Sequence, residues 1–254
     1  MTDDPRSIEV EIEVAGTPEE VWRAIATGPG ISSWYVPHTV EERDGGVLSA
    51  SFGPGMDVTG RVASWDPPRR VVFDSAEDTG GMAFEWTIEA RDGGTCVVRL
   101  VNSGFGHGEE WDARYDGMAE GWLLFLENLR LHLAHFAGQN GTATLPMAMW
   151  DMSREKAWTT LLAALGLSAA PAVGQRITTE GSGAPALAGT VTRVCATGAS
   201  LLLEQPFPGT GFIAAEGYGE QAGVSVWCYL YGAEAAAVAA REEELWAAWL
   251  TEAG

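Results

Sequence analysis

Positive charge is scarce in this chain. Lys156 is the only lysine in 254 residues, and Lys and Arg together number 15 against 35 Asp and Glu, for a net charge of −20. The deficit is shared, since residues 1–140 carry −14 and the remainder −6. Neither half holds the cations that would replace the counterions on a phosphate backbone, which excludes nucleic acid as a partner. Anionic membrane surfaces are disfavoured for the same reason, and the acidity is read as serving solubility. Cysteine is also sparse. Cys96, Cys195 and Cys228 are odd in number and lack Cys-x-x-Cys spacing, which fits a reducing compartment and not a disulfide framework. No apolar run approaches the roughly 18 residues that a membrane span requires, so no membrane insertion is expected. Met1-Thr-Asp-Asp-Pro has neither the basic segment nor the apolar core of a secretory signal, and a cytoplasmic location is the expectation. Lys156 follows no glycine loop, and no Gly-x-Ser-x-Gly elbow occurs.

What is present is an ordered alternation of patterns. Ile8, Val10, Ile12 and Val14 alternate with Ser7, Glu9, Glu11 and Glu13, a strand buried on one face. Thr17-Pro18-Glu19-Glu20 supplies an N-cap, a first-turn proline and a capping-box glutamate. The helix it starts carries Val21, Trp22 and Ile25 inward and is expected to stop at Gly28-Pro29-Gly30, with a short turn of helix over Ile31 to Tyr35. A six-stranded antiparallel meander follows, punctuated by Asp44-Gly45-Gly46, Asp66-Pro67-Pro68 and Asp92-Gly93-Gly94. Within it Met82, Phe84, Trp86 and Ile88 share one face. A long helix is predicted from Glu109 to Phe136. Its apolar stripe runs Trp111, Tyr115, Met118, Trp122, Leu126, Leu129, Leu133 and Phe136, and Leu123, Leu124 and Phe125 widen it. This helix is the only element large enough to cover the apolar face of the sheet.

Gly138 to Thr142 is a polar break, after which the order repeats. Ser153 to Trp158 matches Thr17 to Trp22 at an offset of 136. Gly189-Thr-Val matches Gly60-Arg-Val at an offset of 129, at which Leu201-Leu202 falls on Val72-Phe73 and Gly223 on the turn glycine Gly94. At the same offset Ile213, Ala215 and Gly217 fall opposite Phe84, Trp86 and Ile88. Matches in the same order argue for an internal duplication. The expected organisation is one domain over 1–138 and a second, reduced copy over 142–254.

The stretches PEEVWRAIA, SSWYVP, GRVASWDPPRRVVFD, the DGGT turn with LVNSGF, and EEWDARYDGMAEGWLLFLENLRLHL resemble the bacterial START-like proteins of the SRPBCC superfamily related to the activator of the heat-shock-protein-90 ATPase. The likeness covers about residues 8–136, and the later half shares it in outline. It implies an α+β architecture of two helix-grip domains, each an antiparallel curved sheet wrapped around a long C-terminal helix, with a cavity between sheet and helix. Members of that superfamily carry lipids, cyclise or aromatise polyketides, sense hormones or assist chaperones, so the fold does not fix the activity.

Three kinds of chemistry were weighed on the residues. An aromatic pocket is offered by Trp34, Tyr35, Trp65, Phe84, Trp86, Trp111, Trp122 and Phe125, about half of which plain core packing would account for. The expected ligand-binding set is Trp34, Tyr35, Phe84, Trp86, Trp111, Tyr115, Trp122 and Leu126, with a hydrophobic small molecule, a lipid or aromatic metabolite, as partner and no cofactor. Acid/base chemistry of the cyclase or aromatase kind would draw on His38, Asp57, Asn102, His107 or Tyr115, none of them at a spacing that demands catalysis. His132 and His135 sit three apart on a helix, as a metal pair requires, but without a third ligand they read as a solvated face. The Glu242–Glu244 run reads likewise, and Asn140-Gly141-Thr142 as a turn. A co-chaperone-like protein partner is the remaining alternative.

Overall fold

A computed structural model describes residues 6–53, 55–75, 81–106 and 108–254. Among these, the chain separates into two compact units, Met1–Trp122 with His132–Asn140, and Leu123–Leu131 with Gly141–Gly254. Each holds an antiparallel sheet and a C-terminal helix, the helix-grip arrangement. Among the described residues no helix is long and apolar enough to cross a membrane.

In the first unit β1 (Arg6–Ala15) is followed by α1 (Pro18–Ala26), α2 (Gly28–Ser32) and the meander β2 (His38–Val40), β3 (Val47–Ser51), β4 (Asp57–Asp66), β5 (Arg70–Ser75), β6 (Ala83–Arg91) and β7 (Thr95–Phe105). The spatial order is β1-β7-β6-β5-β4-β3-β2, so the first strand returns to pair with the last. Burial alternates along β1 as its sequence dictates, with Ile8 and Val14 buried and Glu9, Glu11 and Glu13 exposed. Long helix α3 spans Glu109–His135. From Gly121 to Leu133 no residue is exposed, which is the signature of a helix covered all round.

The capping box of α1 is complete, with Thr17 Oγ1 accepting the Glu20 N–H and the Glu20 carboxylate accepting the Thr17 N–H at 2.8 Å. Thr17→Ala is expected to lower stability by about 1 kcal/mol, read as a fall in the urea midpoint. Gly28-Pro29-Gly30 does not end the helical region as its composition suggests. It opens α2, because Thr27 closes α1 and caps α2 by accepting the Gly30 N–H at 3.1 Å. Proline fits a first helical turn, and a Cβ on Gly30 would stand 1.9 Å from the Arg23 carbonyl oxygen.

The second unit repeats this plan. Its strands β8 (Gly141–Thr144), β9 (Met147–Trp150), β10 (Arg176–Thr178), β11 (Ala188–Cys195), β12 (Gly198–Gln205), β13 (Gly209–Tyr218) and β14 (Gln221–Tyr231) lie in the order β10-β11-β12-β13-β14, with β8 and β9 in succession along β14. The pair β8 and β9 is thus the counterpart of β1, broken where Leu145-Pro146 interrupts the ladder. Helix α4 (Arg154–Ala164), capped by Ser153, repeats α1 with Trp158 buried as Trp22 is. Helix α5 (Ala235–Ala253) repeats α3 at 19 residues against 27. Trp158, Leu161, Leu201, Ile213, Val226 and Trp246 belong to one continuous buried cluster.

The strand matches differ from the single-offset expectation. Gly60 pairs with Ser75 and Gly189 with Leu203, so Leu201, not Leu202, stands where Phe73 does. Two residues, Ala196 and Thr197, turn β11 into β12, where three, Pro67 to Arg69, turn β4 into β5. The next connection is shorter by one as well, which puts Gly211 and Ile213 in the places of Phe84 and Trp86. Gly223 lies inside β14 paired with Glu216, and Gly219 is the turn glycine.

Candidate functional site

The first unit holds a partly open pocket of about 190 Å³. Its wall is assembled from every layer of the fold: Ile25 of α1, Ile31 of α2, Trp34 and Tyr35 beyond it, His38, Leu48, Ala50, Phe52, Val58, Phe73, Met82, Phe84 and Trp86 from the sheet, and Met118 and Trp122 from α3. Among the described residues no Asp, Glu, Lys or Arg contributes to this lining. Alternation delivers the sheet's share, because Leu48 and Ala50 of β3, continued by Phe52, and Phe84 and Trp86 of β6, preceded by Met82, point to the same side.

The rings brace one another. Trp122 meets Tyr35, Trp86 and Phe84 at centroid distances of 5.4, 5.6 and 6.1 Å. Trp34 stacks on Tyr35 at 5.7 Å and meets Trp86 edge to face at 5.8 Å. Tyr35 also meets Phe52 and His38. Edge-to-face contacts of this kind add to area burial, so the wall is stiff.

The polar side-chain atoms on the wall are few, and three of them are engaged by hydrogen bonds within the unit. The Trp34 Nε1–H donates to the Ala24 carbonyl at 2.9 Å. The Trp122 Nε1–H donates at 3.4 Å to Asn102 Oδ1, while the Asn102 amide donates to the Ala83 carbonyl. Neither indole N–H is therefore held in reserve for a ligand. His38 Nδ1 lies 2.7 Å from the Val36 carbonyl, an acceptor only, so the proton sits on Nδ1 and Nε2 keeps its lone pair. Burial holds the His38 pKa down at about 4 against that one raising bond, and the ring is neutral at pH 7.

Of the eight residues expected to bind ligand, Trp34, Tyr35, Phe84, Trp86 and Trp122 are brought together on this wall. Trp111, Tyr115 and Leu126 stand elsewhere. Trp111 packs on Phe105 and over Gly106, whose Cβ would fall 2.5 Å from the indole nitrogen. Tyr115 ties α3 to β1, its hydroxyl donating to the Ser7 carbonyl at 3.1 Å and its ring lying under the Arg6 guanidinium, which pairs with Asp112. Leu126 is buried one helical turn beyond Trp122, the last residue of α3 on the lining. Trp65 packs edge to face on Trp22. Phe125 belongs to the Leu123–Leu131 stretch of the second unit and meets Phe212 and Trp227 there.

The polar candidates also disperse. Asp57 is exposed at the start of β4, Asn102 is buried behind Trp122, and His107 lies outside the described residues. His132 is not on a solvated face. It is buried beside a second, polar hollow of about 230 Å³ shared with Glu20, Arg23 and Glu42, and burial lowers its pKa to about 4. His135 is exposed. Among the described residues no group of three or more His, Cys, Asp or Glu side chains is placed to hold a metal ion. The Glu242–Glu244 run is also only partly solvated. Glu242 is buried against Arg241, and Glu243 accepts from the Thr144 hydroxyl and the Leu145 N–H.

The fold is of the helix-grip kind, two antiparallel sheets each with a C-terminal helix. Residues 15–134 match the family described as Activator of Hsp90 ATPase homolog 1-like protein. Similar solved structures include the Aha1 dimer from Colwellia psychrerythraea, 20% identical over 50% of this chain and 96% of that one with a TM-score of 0.43. Protein MLL2253 from Mesorhizobium loti is 22% identical over 52% of this chain and 98% of that one, with a TM-score of 0.46. The di-domain ARO/CYC BexL from the BE-7585A biosynthetic pathway is 18% identical over 98% of this chain and 95% of that one, with a TM-score of 0.45. No curated protein matches.

Proposed function

We propose that the first unit binds a hydrophobic small molecule in the cavity between its sheet and α3. The observation that carries this reading is the aromatic-lined void itself. Protein interiors close their gaps to packing densities near those of organic crystals. An unfilled pocket of about 190 Å³ leaves its lining without contact partners on one side, a loss that grows with the empty volume. A ligand that fills the space recovers that loss.

A catalytic reading has His38 as its one observation, because it is the lining residue with a lone-pair nitrogen. Its pKa of about 4 lies well below neutral pH, where transfer to and from a base is most efficient. His38 is thereby suited to accept a hydrogen bond more than to carry a proton. This weighs the balance toward binding.

The test fills the cavity from within. Ala50 is buried on the lining, and Ala50→Phe places a ring in the void. Wild-type protein is expected to rise in thermal midpoint with compact apolar ligands, as binding to the folded state alone requires. The Ala50→Phe protein is expected to lose that response while staying folded by circular dichroism. A ligand response unchanged by Ala50→Phe would place binding elsewhere, and no response to any apolar compound in native mass spectrometry or thermal shift would end the proposal.

A further inference from the structure

Resting on that binding reading, we infer that the cavity takes a compact, uncharged aromatic molecule carrying one hydrogen-bond donor, a phenol or an indole-like N–H compound, with His38 Nε2 as its acceptor. Four observations narrow the class to this.

Size comes first. A cavity of about 150 Å³ holds benzene, whereas drug-sized ligands occupy roughly 300–1,000 Å³. At about 190 Å³ the void suits one ring with a substituent or two small fused rings. A long acyl chain or a fused polycycle exceeds it. Charge comes second. Among the described residues the wall carries no Asp, Glu, Lys or Arg, so against these an anion or an ordinary ammonium would have no charged partner, at a cost that a few van der Waals contacts do not offset.

The third observation addresses the quaternary ammonium ions that aromatic cages recognise. Such a cage turns ring faces toward the cation. Here the rings spend their faces on each other. Trp34 and Tyr35 stack at 27°, while Trp34 with Trp86, Trp86 with Trp122 and Phe84 with Trp122 meet at 79°, 81° and 64°. The void therefore sees ring edges as well as faces, a mixture that complements another aromatic ring better than a cation.

The fourth observation sets the polarity of the ligand's one polar group. Trp34 Nε1 and Trp122 Nε1 are bonded to Ala24 and Asn102, and His38 Nδ1 to Val36. The lining also carries the Trp86 N–H and the Tyr35 hydroxyl, but its one ring-nitrogen acceptor is His38 Nε2, to which no hydrogen bond is made among the described residues. A buried site built around an acceptor rejects an analogue that lacks the donor, because the acceptor is then dehydrated without a partner.

The experiment compares indole with indene, the isostere in which carbon replaces the N–H, by calorimetric titration of the full-length protein, with tetramethylammonium and palmitate as further probes. Indole is expected to bind about tenfold more tightly than indene, the factor corresponding to one net hydrogen bond. In His38→Asn the amide nitrogen keeps the bond to Val36 while Nε2 is gone, so the preference is expected to fall below about twofold with indene affinity unchanged. A second measurement needs no variant: the Nε2 nitrogen resonance of His38 in wild-type protein is expected to shift on adding indole and to stay in place on adding indene. Equal affinity for indole and indene, a preference that survives His38→Asn, or tighter binding of tetramethylammonium or palmitate than of indole overturns the inference and leaves the binding proposal standing. Failure of all four probes to bind overturns both.

Discussion

Trp122→Ala is expected to cost the first unit about 4–5 kcal/mol and to change the size of ligand it accepts. Trp122 is 4% exposed and touches Tyr35, Phe84 and Trp86, so truncation removes the ring that the other rings lean on. Deleting a buried aromatic costs about 3–5 kcal/mol through lost transfer energy and residual cavity. The upper end applies because Asn102 Oδ1, on a fully buried side chain, then loses the indole N–H. Urea denaturation followed by the signal of the first unit measures the loss. Calorimetry on the surviving folded fraction measures the second effect: the enlarged void should weaken single-ring ligands and admit larger ones. Trp122→Phe keeps most of the ring contact and should recover more than half of the stability. A loss below about 1.5 kcal/mol for the alanine variant would mean that the wall collapses freely, and the cavity would then not be a rigid feature.

The second large effect is on pH. His38 and His132 are both held neutral by burial, each with a pKa lowered from 6.5 to about 4 in the folded protein. Between those values the unfolded chain binds protons that the folded chain refuses, so stability rises with pH across this window and is lost as pH falls through it. Full protonation of the unfolded state corresponds to about 3 kcal/mol per histidine. Between pH 7 and pH 5 the loss is about 2 kcal/mol each. His38 faces the Tyr35 ring and the Val36 carbonyl, whereas His132 shares its hollow with Glu20, Arg23 and Glu42. The two sites are separate, and their contributions should add. Denaturation at pH 7 and pH 5 tests this in wild type and in His132→Leu, which is expected to show about half the pH dependence. A wild-type stability that is flat over this interval would mean that neither imidazole is kept from its proton.

Much of the fold is legible in the sequence because its signals are local. Alternation along Ile8 to Val14, the Thr17 and Glu20 capping box and the Asp-Gly-Gly turns each act within a few residues, and the elements form where those signals lie. Register between the two copies is less legible, because a turn one residue shorter moves every later match. Pro67 to Arg69 against Ala196 and Thr197 is such a case.

The site divides along the same line. Helical period names the face of α3, and it groups Trp111, Tyr115, Trp122 and Leu126 correctly on one stripe. It says nothing of how far along the helix the hollow extends. Phe105, Gly106 and β1 take up Trp111 and Tyr115 before the cavity begins. The smaller lining residues, Leu48, Ala50, Val58, Phe73 and Met82, carry no chemical signal that separates cavity from core. Of these only Met82 stands out in the sequence, through the alternation it shares with Phe84 and Trp86. His38 was visible as a polar candidate, but its tautomer depends on the Val36 carbonyl, which no spacing reveals.

The interrupted strand of the second unit bears on how the protein survives at high concentration. A long, even border of unpaired amide groups invites another chain to zip on and seed fibrils. On its outer border the first sheet carries ten unbroken residues, studded with Glu9, Glu11 and Glu13, whose like charges repel an identical neighbour. The second sheet's corresponding border has Met147 and Met149 exposed and no acidic comb. There Pro146 divides the border into two four-residue pieces, each too brief to template a neighbour. Two copies of one ancestral layout thus guard the same weak seam by unlike means, electrostatic in one and steric in the other.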